Sequence, residues 1–283
     1  MALGLFDGVH LGHQQVLQRA LAGRAQGLVP AVFTFESASG LVDTKEGGLI
    51  YSEEYKEYIL EKMGVELLLA VPFAAVRDLS PEEFVERVLQ GALHAGQVVC
   101  GYDFRFGRGA GGDTVLLRQL CKRRGIGVQV VPALAVDGAP VSSTRIRALL
   151  QQGEIEQANA LCGRPYGIYG TVLSGNRLGR VMGFPTINQR LQPGRTLPRF
   201  GVYRSETMVD GTAYRSVTNI GVKPTVGSDV PLAETHILGF SGDLYGQRIL
   251  VRLIRFVRPE QKFDGVEALR AQLEKDVLSA QED

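Results

Sequence analysis

The sequence predicts two halves of different fold class. The N-terminal half reads as α/β, doubly wound on a parallel sheet. The C-terminal half reads as an antiparallel β-barrel or sandwich with a terminal helix. Three observations carry this. Short apolar runs alternate with helical stretches up to about residue 160. From about residue 163, strand-like segments follow one another between Gly- and Pro-rich turns. The closing stretch FDGVEALRAQLEKDVLSAQ keeps apolar residues at helical spacing.

In the first half, VPAVFTF (Val29–Phe35), ELLLAV (Glu66–Val71), QVVCG (Gln97–Gly101) and GVQVV (Gly127–Val131) are the runs expected of strands buried on both faces. ALG ahead of Phe6 supplies only the end of a first strand. Asp7-Gly8 makes a turn, and His10 to His13 opens a helix with Val16, Leu17, Ala20 and Leu21 as its apolar stripe. SPEEFVERVL (Ser80–Leu89) starts with Ser80 as N-cap and Pro81 at the first helical position. LLRQLCKRRG (Leu116–Gly125) ends in basic residues and a glycine, as helix C-termini prefer. In the second half IYGTVL, RSVTNIG, ETHILGF and QRILVRLIRF are strand-like, and Val266, Leu269, Leu273 and Val277 face the barrel from the last helix. The boundary is expected in CGRPYG (Cys162–Gly167), just after the helix-like GEIEQANAL, which gives domains 1–162 and 163–283.

Length and composition bound the function. At 283 residues, 45% hydrophobic and 22% charged, the chain has the make-up of an ordinary globular protein of one large or two average domains. A formal net charge of +1 argues against general nucleic-acid binding. Three widely spaced cysteines, Cys100, Cys121 and Cys162, fit no disulfide or metal framework and point to the reducing cytoplasm. No apolar run approaches the roughly 20 residues of a membrane span. The first motif starts too near Met1 for a signal peptide. The sequence permits a homo-oligomer without requiring one.

Two of the four histidines, His10 and His13, sit in GLFDGVHLGHQ (Gly4–Gln14). In a doubly wound sheet, ligands bind at the carboxyl ends of strands beside helix N-termini, whose unpaired N–H groups attract anions. Neutral imidazoles add N–H donors there, and Gly12 admits a ligand close to the backbone. From these residues alone, a structural or metal-binding pair fits as well. In VVCGYDFRFGRGAGGD (Val98–Asp113), Phe104 and Phe106 can pack on a flat ring and Arg105 and Arg108 can meet phosphate; an ordinary loop with buried Phe fits too. In PVSSTRIRALL (Pro140–Leu150), Ser142, Ser143 and Thr144 cap a helix with Arg145 and Arg147 near its start, which suits an anion site or a plain N-cap.

In IYGTVLSGNRLGRVMGFPTINQ (Ile168–Gln189), Gly175, Gly179 and Gly183 allow backbone to lie against phosphates. Thr186 and Asn188 share one side if this piece is extended. Their oxygens suit Mg2+, which takes its remaining ligands from water and nucleotide. Glu234, in ETHILGF, is taken alone a surface carboxylate.

The string HLGH after FDG resembles the HxGH signature of the nucleotidyltransferase superfamily, and with DFRFG and SSTRIR it is similar to the bacterial flavin adenylyltransferases. GFPTIN, NIGVKPT, ETHIL, GDLYG and VRPEQKF resemble riboflavin kinase. The whole chain thus resembles the bifunctional bacterial riboflavin kinase/FAD synthetase family. The resemblance implies a Rossmann-like nucleotidyltransferase domain followed by a six-stranded antiparallel barrel. The barrel half would make FMN and ADP from riboflavin and ATP; the first half would join FMN to the AMP part of a second ATP and release pyrophosphate.

On the matching positions, His10, His13, Ser143, Thr144 and Arg147 would serve adenylyl transfer, and Gly4, Phe6, Asp7, Gly12, Ser142 and Arg145 would line the nucleotide. Asp103, Phe104, Arg105 and Phe106 would meet flavin. In the barrel, Thr186 and Asn188 would hold Mg2+, and Gly175, Gly179, Arg180 and Gly183 would cover ATP. Glu234 would take the proton from the ribityl 5'-hydroxyl. Asn219, Arg258 and Phe263 would line the flavin, the last two with the alternative of holding the terminal helix. His236 shares the face of Glu234 and receives no role. The partners implied are riboflavin, FMN and ATP, with no nucleic acid and no membrane.

Three departures from the family pattern stand out. Only Met1–Gly4 precede Leu5, so the first strand is cut short, through a start further upstream or a fold that tolerates the loss. TFESASG (Thr34–Gly40) lacks the His-Pro pair of TFxxHP, and Gly239 stands where an acid is common. These leave two alternatives: a riboflavin kinase with an impaired first half, and a non-catalytic flavin-binding protein.

Overall fold

The structure is a computed structural model and describes residues 1–36, 48–174, 183–222 and 230–281. Gly175, Gly179 and Arg180, and residues 37–40 of TFESASG, lie outside the described residues. The chain splits into two compact units. One comprises Met1–Leu49 and Lys56–Ser143, the other Ile50–Tyr55 and Thr144–Asp283.

The first unit is α/β. In chain order it contains β1 (Ala2–Leu3), α1 (Leu11–Ala22), β2 (Ala31–Phe35), most of α2 (Glu53–Lys62), β3 (Leu67–Val71), α3 (Pro81–Glu83), β4 (Gln97–Gly101), α4 (Thr114–Lys122) and β5 (Gly127–Val131). A hairpin of β6 (Ala135–Val136) and β7 (Ala139–Pro140) follows. The five-stranded sheet has the order β3-β2-β1-β4-β5, and each of its pairings is parallel. Strand β1 is central: Ala2 pairs with Val32 and Val99, and Leu3 with Phe33 and Cys100. Helices start where sequence chemistry places them. Ser80 Oγ accepts from Glu83 N at 3.1 Å while Glu83 accepts from Ser80 N at 2.8 Å, with Pro81 in the first turn. Asp113 caps α4 through Leu116 N at 2.9 Å. Beyond α3 the chain winds as a π-helix over Phe84–Ala92, which the apolar spacing does not announce. The core joins Leu3, Phe33, Leu89, Val98, Cys100, Leu117 and Cys121, each at most 4% exposed.

After Ile50–Tyr55, the second unit continues from Thr144 with the rest of α5 (Ser143–Gln152) and with α6 (Ile155–Cys162), the latter ended by Gly163 at φ 65°. Six strands follow: β8 (Tyr166–Thr171), β9 (Thr186–Arg190), β10 (Gly201–Val209), β11 (Thr212–Gly221), β12 (Leu232–Ile237) and β13 (Arg248–Pro259). They pair antiparallel in the order β8-β13-β10-β11-β12-β9. The outer two strands meet: Leu173 N donates to Asn188 O at 2.8 Å, and Gln189 Nε2 donates to Gly170 O at 2.8 Å. That contact curls the sheet into a half-barrel, with its two outer strands joined at one bridge, Leu173 to Asn188. One face carries buried hydroxyls that satisfy each other: Ser205 with Thr218 and Thr218 with Thr235, each at 2.8 Å, and Thr207 with Ser216 at 2.7 Å. On the opposite face Val202 and Val217 pack against Ala280 of the terminal helix α7 (Val266–Gln281).

Helix α7 corrects one expectation. Val266 is 66% exposed. Leu269 and Leu273 are half-buried and Val277 packs against the Val202–Val217 cluster as expected, while the most buried positions of the helix are Asp276 and Ala280. A carboxylate is buried there because Arg258 of β13 meets it in two bonds, Nη2 to Oδ2 at 2.6 Å and Nε to Oδ1 at 2.9 Å, and Gln272 adds a third at 2.9 Å.

Two predictions follow from this packing. Asp276→Ala leaves a mostly buried guanidinium without its carboxylate and should cost about 3 kcal/mol of stability, whereas the paired replacement Arg258→Met with Asp276→Leu should lose less; urea unfolding of the two variants beside the wild type checks this. Burial pushes the thiols of Cys100 and Cys121 up, to about 12 and about 11, so both stay protonated at neutral pH. The native protein should therefore resist a thiol-specific colorimetric reagent at pH 8 and yield all three cysteines only after denaturation.

Candidate active sites

In the first unit the chain leaves β1 and makes a tight loop from Gly4 to His10 before α1 begins. Two non-glycine residues there are left-handed, Phe6 at φ 53° and Val9 at φ 40°. For β-branched Val9 this is strained, by roughly 1–3 kcal/mol per such residue. Hydrogen bonds hold the loop from several directions. Thr34 Oγ1 donates to Leu5 O at 3.0 Å, Ser143 Oγ to Asp7 O at 2.9 Å, and Gln14 Nε2 to Val9 O at 3.0 Å. The loop is thus pinned by the end of β2, by the start of α5 and by α1 itself.

His10 is the N-cap of α1. Its Nδ1 accepts from His13 N at 3.3 Å, so the neutral ring carries its proton on Nε2. The two imidazoles stack with centroids 3.6 Å apart and 18° between planes, and Phe6 meets His13 edge-on at 5.4 Å. Gly12 leaves close room beside them: a Cβ there would stand 3.2 Å from the His10 ring, tighter than ordinary packing contact. Two flat rings, one with a defined N–H, are thereby fixed at a helix N-terminus at the carboxyl end of a central parallel strand. Such a place favours phosphate oxygens.

The other expected residues of this half are placed unequally. Asp7 is buried, at 4% exposed. Ser142 lies just before α5; Ser143, Thr144, Arg145 and Arg147 lie in its first turns, and Arg147 is 5% exposed. Phe104 and Phe106 stack at 5.9 Å and 12°, but Phe106 is 6% exposed and packs on Phe84 at 5.6 Å. Phe106 is a core anchor, and the less buried Phe104 is the ring more open to a ligand. Asp103 and Arg105 are exposed, and Arg105 Nε donates to Ala110 O at 3.1 Å.

In the barrel, register assembles the expected residues. Asn188 of β9 stands opposite Glu234 of β12, and Thr186 stands opposite His236. Glu234 in turn stands opposite Asn219 of β11. These residues share the face opposite the buried hydroxyls, because side chains alternate along each strand. A hydroxyl and an amide side chain on one strand thus lie beside a carboxylate and an imidazole on the next. A hydroxyl and an amide oxygen suit a hard cation such as Mg2+. Among the described residues no group of three or more His, Cys, Asp or Glu could hold a metal by itself. Arg258, bound to Asp276, also lies over the Phe263 ring at 5.9 Å, which favours the helix-holding alternative for this pair. Gly183 and Gly239 are left-handed, at φ 85° and 68°; the turn after β12 therefore favours glycine at 239.

A cavity of about 340 Å³ in the second unit is lined by Tyr51, Tyr166, Tyr169, Arg190 and Arg195 among others, and by none of the residues expected for either reaction. Sequence reading gave no role to Thr34, Gln14 or His236. Their signals are hydrogen bonds to backbone carbonyls, which depend on register and loop shape rather than on spacing.

Comparison with known proteins covers both halves. Residues 1–145 match a family model described as FAD synthetase, and residues 162–283 match one described as riboflavin kinase. A Listeria monocytogenes protein described as bifunctional riboflavin kinase/FMN adenylyltransferase is 39% identical over 98% of this chain and 89% of its own length. Proteins of the same description from Bacillus subtilis and Escherichia coli K12 are 37% and 34% identical, over 99% and 100% of this chain and 90% and 91% of theirs. A crystal structure described as a macrolide-efflux protein from Streptococcus pneumoniae superposes with TM-score 0.86 at 28% identity, covering 100% of this chain and 93% of that one. No helix among the described residues of this chain is long and apolar enough to cross a membrane. With two family models in series and relatives matched from end to end, the chain belongs to the bifunctional riboflavin kinase/FMN adenylyltransferase family.

Proposed function

We propose that the protein phosphorylates riboflavin to FMN and adenylylates FMN to FAD, using ATP in both steps. Residues 1–162 are assigned to adenylyl transfer and 163–283 to phosphorylation. The observation that carries the reading is the register of β9 on β12, which sets Thr186 and Asn188 beside Glu234.

In the barrel, the Glu234 carboxylate accepts the proton of the ribityl 5'-hydroxyl as that oxygen bonds to the γ-phosphorus and ADP leaves. Phosphoryl transfer asks for this orientation and for neutralised phosphate charge. Thr186 and Asn188 would hold Mg2+, which when bound supplies that neutralisation. Asn219, opposite Glu234, adds an amide to the same face.

In the first half, an FMN phosphate oxygen attacks the α-phosphorus of ATP and pyrophosphate leaves. The attacking group is already an anion, so no strong base is needed. The chain must align it and stabilise the spread charge. His10 offers Nε2–H, since its Nδ1 is occupied by the cap. His13, Ser143, Thr144 and Arg147 complete the set, and Gly4, Phe6, Asp7 and Gly12 shape the nucleotide site. Phe104, with Asp103 and Arg105, is assigned to flavin. A cytoplasmic location is supported by three cysteines that are all free and buried.

Full-length protein given riboflavin, ATP and Mg2+ should form FMN first and FAD second, separated by chromatography over time. FMN alone would mean an impaired first half, and flavin bound without ATP consumption would mean a binding protein. Single substitutions should divide the activities. Glu234→Gln should cut FMN formation by about 10²–10⁴-fold yet leave FAD formation from supplied FMN. His10→Asn keeps an N-cap while removing the ring, and should do the reverse, lowering FAD formation by about 10²-fold with the fold intact by circular dichroism.

A further inference from the structure

His236 belongs to none of the roles above, yet it is tied to the strand that carries Thr186 and Asn188. Its Nδ1 lies 2.8 Å from the carbonyl oxygen of Pro185. A carbonyl only accepts, so Nδ1 carries a proton and donates it. Phe184 packs edge-on against the ring, with centroids 5.5 Å apart and 73° between planes. Phe184-Pro185 is the chain's entry into β9, and His236 is the register partner of Thr186, the first residue of that strand.

The geometry of the peptide gives this bond its leverage. The carbonyl of Pro185 and the N–H of Thr186 belong to one planar unit. Proline fixes its own φ and has no N–H, so the free variable at this junction is the rotation that sets the carbonyl direction. A donor clamped on that oxygen fixes the plane, and with it the Cα of Thr186 and the origin of its hydroxyl. Asn188, two residues on, is already fixed by its pairing with Glu234 and by the bond from Leu173 N to its carbonyl. Thr186, at the strand's beginning, has His236 as its clamp.

We infer that His236 is a positioning residue of the kinase reaction, whose Nδ1–H holds the Pro185 carbonyl so that the Thr186 hydroxyl is set for the metal–nucleotide. This rests on reading the barrel as a riboflavin kinase. It assigns the imidazole no proton transfer, because Nδ1–H donates to the carbonyl in both the neutral tautomer and the cation.

The test compares His236→Asn, His236→Gln and His236→Ala in the full chain. An Asn amide nitrogen falls near the place of Nδ1, whereas the Gln amide reaches the place of Nε2. With Asn the KM for MgATP should stay near wild type. With Gln and Ala it should rise about tenfold, the upper end of what one neutral hydrogen bond supplies, with a smaller change in the KM for riboflavin. Calorimetric titration of MgADP, fitted to two independent sites of which the N-terminal one is common to all variants, should follow the same order at the barrel site without depending on turnover. The pH profile of kcat should keep its shape in His236→Asn. Equal MgATP KM values in all three variants would overturn the inference while leaving the kinase reading intact, as would a lost limb of the pH profile in His236→Asn, which would make the ring an acid or base. Were Ala to fail to fold, Asn against Gln still decides. Absence of FMN formation by the wild type would sink the kinase reading itself; the MgADP titration would then judge the clamp alone, with equal affinity of Asn and Gln overturning it.

Discussion

Ala2 and Leu3 hold the middle of the parallel sheet. Each pairs with β2 on one side and β4 on the other, so a strand of two residues joins the sheet's two flanks. Its neighbours are five-residue strands, and Leu3, at 2% exposed, sits inside the core between them. Everything proposed for the first half follows from where that strand ends. The loop after Leu3 must turn at once to feed α1. It does so through left-handed Phe6 and Val9, and bonds from Thr34, Gln14 and Ser143 hold it there. The histidine stack is the end of that sequence of constraints. The loop is strained, its three anchors come from separate elements, and His10 caps the helix it introduces.

The barrel meets its constraint differently. Alternation along β10, β11 and β12 sends hydroxyls to one face and charged or amide side chains to the other. The buried face is more polar than usual for a small barrel, yet Ser205, Thr218 and Thr235 satisfy each other in a chain, and Thr207 and Ser216 pair. A chain of hydroxyls can relay donor and acceptor roles without a charge, so it avoids the desolvation cost of buried ions. The opposite face is divided between the helix α7 contact and the row Asn188, Glu234, Asn219. One register therefore serves both stability and chemistry, and a one-residue slip would exchange the hydroxyls with Glu234.

Much of this was legible in the sequence, for reasons that differ by element. The strands β4 and β5 appear at the residues expected; β4 is buried over Val98–Cys100 as an apolar run, whereas β5, at the edge of the sheet, carries Gln129 and is only partly buried, unlike the both-face burial expected of it. Strand β10 was not read, because its inward positions include Ser205 and Thr207 and its outward ones Arg204 and Glu206, so no apolar alternation survives. The buried stripe of α7 was misplaced toward Val266 since Asp276 counts as surface until its partner Arg258, 18 residues earlier, is known. The residues proposed for the sites stand in local strings, HLGH, SSTRIR, GFPTIN and ETHIL. Which residues face one another was not legible, because the pairing of Asn188 with Glu234 and of Thr186 with His236 depends on a register set by two strands far apart in the chain.

The same contrast separates the two halves in the kind of group each has to control. Adenylyl transfer begins from a nucleophile that is already charged, so the first half needs donors held still. Its tools are a cap, a ring stack and a strained loop, with the His10 tautomer fixed by a backbone N–H. Phosphorylation begins from a neutral hydroxyl, so the barrel needs an acceptor for a proton and ligands for charge in fixed relation. The groups proposed for both come together by cross-strand pairing, which places opposite side chains about 4.5–5.5 Å apart without any loop. Strand pairing fixes Asn188 fully, but it fixes Thr186 only as well as the strand's entry is fixed, because the first residue of a strand has pairing on one side alone. The weak point of the barrel site is thus the peptide between Pro185 and Thr186, and that is where the structure places the ring of His236.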